Sequence, residues 1–134
     1  MKRVFLTMII LFTFIGIINA QYIYNRQHNA ICMIQTLTEE TYDFYCGGVK
    51  SASVRYDLVY DGSGNRIGRL EKDILYDTSD NVICTIKGKK IYSGGKRSAY
   101  VKNSIVYDGS GNRLVSLRGI SMMQLAVYIF FIAY

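Results

Sequence analysis

The sequence predicts an all-β protein built from tandem hairpins, and three observations support that fold class. The heptapeptide at residues 60–66, Tyr-Asp-Gly-Ser-Gly-Asn-Arg, recurs unchanged at residues 107–113. Short runs rich in Ile, Val, Leu and Tyr lie between turn-forming residues, as expected of strands. Tyrosines precede the turns at separations of 21, 15, 16, 16 and 15 residues: Tyr24, Tyr45, Tyr60, Tyr76, Tyr92 and Tyr107. Six such landmarks enclose five intervals, which predicts five tandem hairpins that pack on one another.

Residues 1–20 are predicted to be a secretory signal helix. Lys2 and Arg3 form a basic start, residues 4–18 are almost entirely apolar, and Ala20 offers a small residue before the cleavage point. A single membrane anchor is the alternative, but the apolar stretch is short for a span and no basic flank follows it. We therefore expect export, followed by a mature chain without a stable membrane span.

The mature chain is expected to begin at Gln21 and to contain two parts. Residues 21–118 would form the β-hairpin repeat domain, and residues 119–134 an apolar segment that closes the core. Ser121 suits a helix N-cap, whereas the β-branched and aromatic residues later in the segment favour a strand. We expect a short apolar helix packed on the hairpins, with a buried strand, or insertion into a membrane or partner, as alternatives.

The net charge of the chain is modestly positive. Its 16 basic and 10 acidic residues give +6, and +4 remains without Lys2 and Arg3. This balance favours weak attraction to anionic surfaces and does not predict nucleic-acid binding. We interpret the one local basic cluster as the solvated rim of a hairpin; it comprises Lys87, Lys89, Lys90, Lys96 and Arg97.

The cysteine count is odd, so an exported chain would keep at least one free thiol or form an intermolecular link. The three are Cys32, Cys46 and Cys84. Cys32 and Cys84 each lie eight residues after a landmark tyrosine and could face each other across the centre. A Cys32–Cys84 disulfide and three packed thiols are the two alternatives.

The sequence offers little support for catalysis or metal binding. His28 is the only histidine, which excludes a two-His metal site within one chain and leaves a Ser-His-Asp triad unsupported. Three aspartates each follow a landmark tyrosine, and we interpret them as turn caps and not as paired carboxylates; they are Asp61, Asp77 and Asp108. We predict no enzymatic activity and no cofactor.

Residues 61–65 also place oxygen-bearing side chains as in the first half of a calcium loop. That match then fails, because Arg66 stands where glycine is required and Lys72 where a bidentate glutamate is required. No calcium site is predicted.

The tyrosines before the turns allow two interpretations. Their rings could pack on the neighbouring hairpin, which we favour for a residue that marks a repeat. Alternatively, exposed rings could contact a ligand, because tyrosine combines an apolar face with a hydrogen-bonding tip. The candidate contact residues are Tyr60, Tyr76, Tyr92 and Tyr107.

The order of segments resembles the five-fold β-flower family of small secreted bacterial proteins, which have no established activity. The resemblance is carried by the signal, Tyr-Ile-Tyr-Asn at 22–25, the turn and strand at 63–70, and the 119–122 tail that ends in Phe130 and Phe131. It implies hairpins in a pseudo-five-fold closed arrangement. The glycine at position 68 is replaced by Cys32 and Cys84 in other units, which implies an uneven centre.

Together these features predict an exported, non-catalytic β-repeat protein that is periplasmic, cell-surface or secreted. We expect a structural or binding module of the cell envelope, with an envelope glycan or protein as partner. A glycan-binding module that uses the turn tyrosines is the alternative.

Overall fold

The computed structural model describes residues 21–133, so the predicted signal at 1–20 lies outside the described residues. Within them the chain forms twelve strands and a short helical segment. The strands are β1 Gln21–Tyr24, β2 Ala30–Thr38, β3 Thr41–Cys46, β4 Val49–Arg55, β5 Leu58–Asp61, β6 Arg66–Glu71, β7 Ile74–Tyr76, β8 Val82–Lys87, β9 Lys90–Ser93, β10 Lys96–Lys102, β11 Ile105–Asp108 and β12 Arg113–Arg118. Helix α1, Met122–Val127, continues into a π-helix, Tyr128–Ala133.

The strands form a closed antiparallel barrel. Each strand pairs with its neighbours in the chain, and β12 pairs with β1 to complete the ring. Closure leaves no strand edge of this sheet open to pairing with another chain. The all-β prediction is confirmed. The short C-terminal helix is also confirmed, in place of the buried strand that was its alternative.

The landmark tyrosines lie at the end of their strands or one residue before it, at equivalent places, and each lies opposite a β-bulge. In one hairpin Tyr60 pairs with Arg66 while Val59 pairs with Gly68, so that Ile67 is the extra residue. The same register shift occurs in the other five hairpins that carry a landmark tyrosine. Because a bulge bends a strand and increases its twist, six equivalent bulges help to curve the sheet into a ring.

The ring contains six tyrosine turns, which join β1–β2, β3–β4, β5–β6, β7–β8, β9–β10 and β11–β12. The five intervals of the sequence correspond to five continuous hairpins, from β2–β3 to β10–β11. The sixth unit is formed by β12 and β1 from the two ends of the described chain. This strand order does not show the predicted five-fold arrangement.

Five of the six tyrosine-turn hairpins contribute one larger and one smaller side chain to the lumen, paired directly across the two strands, and the sixth contributes two valines. The pairs are Ile23–Cys32, Phe44–Ala52, Val59–Gly68, Leu75–Cys84, Ile91–Ala99 and Val106–Val115. All twelve residues are buried. The smaller members leave room along the axis of the barrel.

The C-terminal helical segment fills that room. Residues 124–129 are six consecutive buried residues. Successive helical residues point to different sides, so such a run is buried only where the helix is surrounded. Helix α1 contacts β8 and the π-helix contacts β4, four strands away in the ring. The segment therefore closes the core from inside the barrel.

Gly68 is the tightest point between the wall and this segment. A Cβ atom at residue 68 would lie 2.6 Å from Cζ of Phe131 and 2.6 Å from the carbonyl oxygen of Tyr76. One of the two contacts is with backbone, so the overlap is not relieved by a side-chain rotation alone. Only glycine fits where Phe131 meets β6.

We predict that Gly68→Ala lowers the free energy of unfolding by about 1–3 kcal/mol, because the added methyl group overpacks the lumen. Urea denaturation measures the change. In the double variant Gly68→Ala/Phe131→Leu the smaller side chain should restore part of the loss. A Gly68→Ala protein as stable as the parent would contradict the tight contact.

Candidate functional site

The four candidate tyrosines lie on the outer wall of the barrel, close to the turns. Each directly follows an inward-facing buried residue, and alternation along a strand places the next side chain outside. All four are partly exposed. They are distributed around the ring and do not form one pocket, and their role as ligand contacts stays a prediction. They are Tyr60, Tyr76, Tyr92 and Tyr107.

Cations lie against the rings on this wall. The Arg69 guanidinium is 3.9 Å from the ring centroid of Tyr76. Tyr107 stacks on Tyr100, with centroids 5.1 Å apart and planes 17° apart, and Arg97 lies 4.5 Å from the Tyr100 centroid. Such contacts combine aromatic packing with the attraction of a cation to a π face.

One set of these residues forms a continuous line across β8 to β12, here called the cross-strand row. Each member is the direct pairing partner of the next: Lys87, Lys90, Tyr100, Tyr107 and Arg113. Five adjacent strands span about 19 Å at the usual strand spacing. The row thus presents cations at both ends and two stacked rings between them.

The row lies in the strongly basic part of the barrel. Residues 81–120 contain eight basic residues and one acidic residue, whereas residues 21–80 contain six basic and nine acidic residues. The salt bridges within residues 21–133 all lie in the acidic part: Asp43 with Lys50 and Arg55, and Arg69 with Glu71 and Asp80. Seven of the eight basic side chains at 81–120 are exposed. We call the outer face of β8 to β12 the basic wall.

The three turn aspartates hold their own turns, as predicted. Asp61 Oδ1 accepts hydrogen bonds from the backbone N–H groups of Ser63 and Asn65, both at 2.9 Å. Asp77 and Asp108 accept the equivalent bonds, and Asn25 does so in the first turn. The N–H donor four residues further on is the main cause that lowers the pKa of each aspartate.

His28 occupies the first of these turns. It is exposed and adopts a φ of 63°, in the left-handed region. Gly64, Asp80 and Gly111 hold the same place in the other three turns and also have positive φ. The position of His28 is thus that of a turn residue.

A cavity of about 770 Å³ opens at the opposite end of the barrel, where the central helix begins. The Gln21 carboxamide donates to the Gly119 carbonyl and to Gln124 Oε1, the latter at 2.9 Å. Gln124 in turn shares a capping box with Ser121. These side chains line the cavity, but their hydrogen bonds fasten the helix to β1.

The structure corrects the cysteine prediction. Cys32 and Cys46 form a disulfide between paired positions of β2 and β3, with Cα atoms 4.1 Å apart. Cys84 lies on β8, six strands away from Cys32 in the ring and with the central helix in the lumen, and its buried thiol is free. The Cys32–Cys84 disulfide and the alternative of three thiols are therefore wrong. Burial raises the pKa of Cys84 to about 11.

Neither a metal site nor a membrane-spanning helix is found in the described part of the chain. No three His, Cys, Asp or Glu side chains within residues 21–133 are grouped so that they could hold a metal ion. Among the helices of those residues, none has the length and apolar character to cross a bilayer.

Comparison with known proteins identifies no relative: no family model, no curated protein and no solved structure matches the chain. The resemblance to the five-fold β-flower family therefore stays a prediction.

The sequence interpretation noticed Lys87, Lys90 and Arg97 but assigned them to a solvated rim. It missed Tyr100 and Arg113, which join Lys87 and Lys90 in the cross-strand row. The difference in charge between residues 21–80 and 81–120 is the signal in the sequence that indicates the basic wall. The pairing across five strands is a property of the fold.

We predict one reactive thiol in the unfolded, unreduced protein, on Cys84, and three after reduction. Alkylation with iodoacetamide and mass spectrometry counts them, and the native protein should react slowly because Cys84 is buried. Cys46→Ser should lower the free energy of unfolding by about 3 kcal/mol through loss of the cross-link. Cys84→Ala is the control that keeps the disulfide; three thiols without reductant would contradict the pairing.

We predict that the turn aspartates make stability fall in acid. Their pKa values are lowered in the fold, so their contribution is present above the unfolded value of about 3.9 and is lost as pH falls through the lower folded values. Replacing all three by asparagine should preserve the turns, as Asn25 shows, and flatten the acid limb. Urea unfolding between about pH 6 and pH 2 measures this; parallel curves for the two proteins would contradict it.

Proposed function

We propose that this protein is an exported, non-catalytic barrel that acts as a structural or binding module of the cell envelope. The observation that carries the proposal is the filled lumen. Residues 124–129 lie buried inside the closed ring, so the chain itself occupies the centre of the barrel, and the outer wall is a surface available to partners. That wall presents partly exposed tyrosines and cations.

Export is supported by the cysteines and by the predicted signal at 1–20. A disulfide such as Cys32–Cys46 persists in oxidising compartments and is rare in the cytosol. Cross-linking of neighbouring strands suits a small domain that must stay folded outside the cell.

A non-catalytic role is supported by the places of the titratable groups. Asp61, Asp77 and Asp108 each cap a separate turn, and His28 is an exposed turn residue. These groups have local structural roles and do not converge on one reacting centre.

We also propose a relation to the five-fold β-flower family. Its support is the series of continuous tyrosine-marked hairpins, which number five between β2 and β11, together with the C-terminal helix. In this proposal the pair of β12 and β1 is the closure of the repeat.

Glycan binding through the turn tyrosines is the second candidate function. It is favoured by the outward position of all four rings and by the cations that lie over two of them, Arg69 over Tyr76 and Lys87 over Tyr92. Aromatic faces beside charged groups suit sugar rings better than they suit a buried core.

Expression of the full chain in a bacterial host with an oxidising periplasm tests the proposal. We expect a mature protein that begins at Gln21, contains one disulfide and sediments with the envelope or is released from it. Phe12→Arg/Phe14→Arg, which interrupts the apolar stretch, is the control and should keep the chain inside with reduced thiols. The proposal would be contradicted if the parent chain, without these substitutions, stayed full-length in the cytosol with its thiols reduced.

A further inference from the structure

We propose that the basic wall binds an anionic polysaccharide. Lys90, Arg97 and Lys102 would hold an acidic group of the polymer, and the paired rings of Tyr100 and Tyr107 would contact its sugar rings. This inference rests on the proposed function, because it names a partner for the outer wall of an exported binding module.

The two halves of the barrel carry equivalent rows, which allows a direct comparison. Four members of the cross-strand row have a counterpart 47 residues earlier, and Lys87 has one 52 residues earlier because the first half carries five additional residues. The counterparts also pair across adjacent strands: Gln35, Asp43, Ser53, Tyr60 and Arg66. The same structural places therefore hold different chemistry in each half.

In the first half the row contains its own anion. The Asp43 carboxylate is buried, accepts a hydrogen bond from Arg55 at 2.8 Å and lies 3.7 Å from the Lys50 ammonium. The Asp43 carboxylate thus compensates the charge of two cations on the outer wall.

In the second half the anion is replaced by a cation. The counterpart of Asp43 is Lys90, and the counterparts of Lys50 and Arg55 are Arg97 and Lys102. All three are exposed, and none forms a salt bridge within residues 21–133. Like charges at neighbouring positions repel, so an external anion here would supply the compensation that Asp43 supplies in the other half.

The one acid of residues 81–120 does not fill this role. Asp108 is engaged by its own turn, where its carboxylate accepts from the backbone N–H groups of Ser110 and Asn112 and from the Asn112 amide. The basic wall therefore has no counter-ion of its own near Lys90.

The same row gains an aromatic ring. Tyr100 stands where the first half has Ser53, and it stacks on Tyr107 with planes 17° apart. Arg97 lies 4.5 Å from the Tyr100 centroid, so charge and aromatic surface are adjacent. The apolar faces of sugar rings pack on such a surface while their acidic groups meet the cations.

A polysaccharide fits this wall better than a bilayer or a nucleic acid. Of the large apolar side chains in β8 to β12, only Val82 is strongly exposed. The wall therefore has little apolar surface to insert into lipid. Because Tyr100 and Tyr107 stack on each other, they form one aromatic surface and not two separate platforms for successive bases. An exported protein also meets envelope polymers first.

Fluorescence anisotropy with a labelled galacturonic acid octamer tests the inference on the mature, oxidised protein. We expect binding that weakens as salt rises, and no binding to a neutral glucose octamer. Lys90→Asp and Tyr100→Ser each copy the first-half residue into the second half and should weaken binding about tenfold. Lys72→Asp makes the same charge change at an exposed lysine outside β8 to β12; it is the matched control for Lys90→Asp and should leave binding unchanged.

Three results would overturn the inference. The first is no binding of the acidic octamer by the parent protein. The second is an equal loss in Lys72→Asp and Lys90→Asp, which would show that the site is not located on the basic wall. The third is that single-stranded DNA or anionic vesicles bind as tightly as the acidic octamer and that Tyr100→Ser has no effect on binding. Charge alone would then explain the binding. None of these results bears on export or disulfide formation. Those are measured separately by cell fractionation, so failure of this inference is distinguishable from failure of the proposed function.

Discussion

The structure depends on the fit between the central helix and the ring around it. A twelve-stranded ring without contents would leave a lumen lined by apolar side chains, and the smaller residues of the inner layer make room for a helix there. Gly68 and Phe131 show how close this fit is. Within residues 21–133 the helix and the ring therefore stabilise each other, because each buries the apolar surface of the other.

A fixed interior leaves the exterior free to vary. Both halves of the chain share the tyrosine turns, the bulges and the alternation of inner residues, yet their outer walls differ in charge. Asp43 and Lys90 occupy equivalent places with opposite charge and opposite exposure. The inner positions of the sheet are thus apolar or small in both halves, whereas the outer positions differ in charge, as expected where packing restricts one face of a sheet and not the other.

Local chemistry made the hairpins predictable from sequence. The aspartates and asparagines after the tyrosines cap turns through bonds to residues two and four positions later, which sequence alone reveals. The six turns are visible in the sequence as six tyrosines, but the sixth unit is not, because it pairs β1 with β12 from the two ends of the described chain. The Cys32–Cys46 bridge and the cross-strand row depend on register between strands, and register follows from the whole sheet.

The pairing of β1 with β12 has a consequence for how the chain acquires its shape during synthesis. Tyr22 of β1 pairs with Arg118 of β12, 96 residues later, so the ring cannot close until β12 has been synthesised. Until then β1 has an unpaired edge, and contacts of such long range form slowly. A nascent chain of this design is therefore most prone to aggregation in the interval before β12 is available to pair.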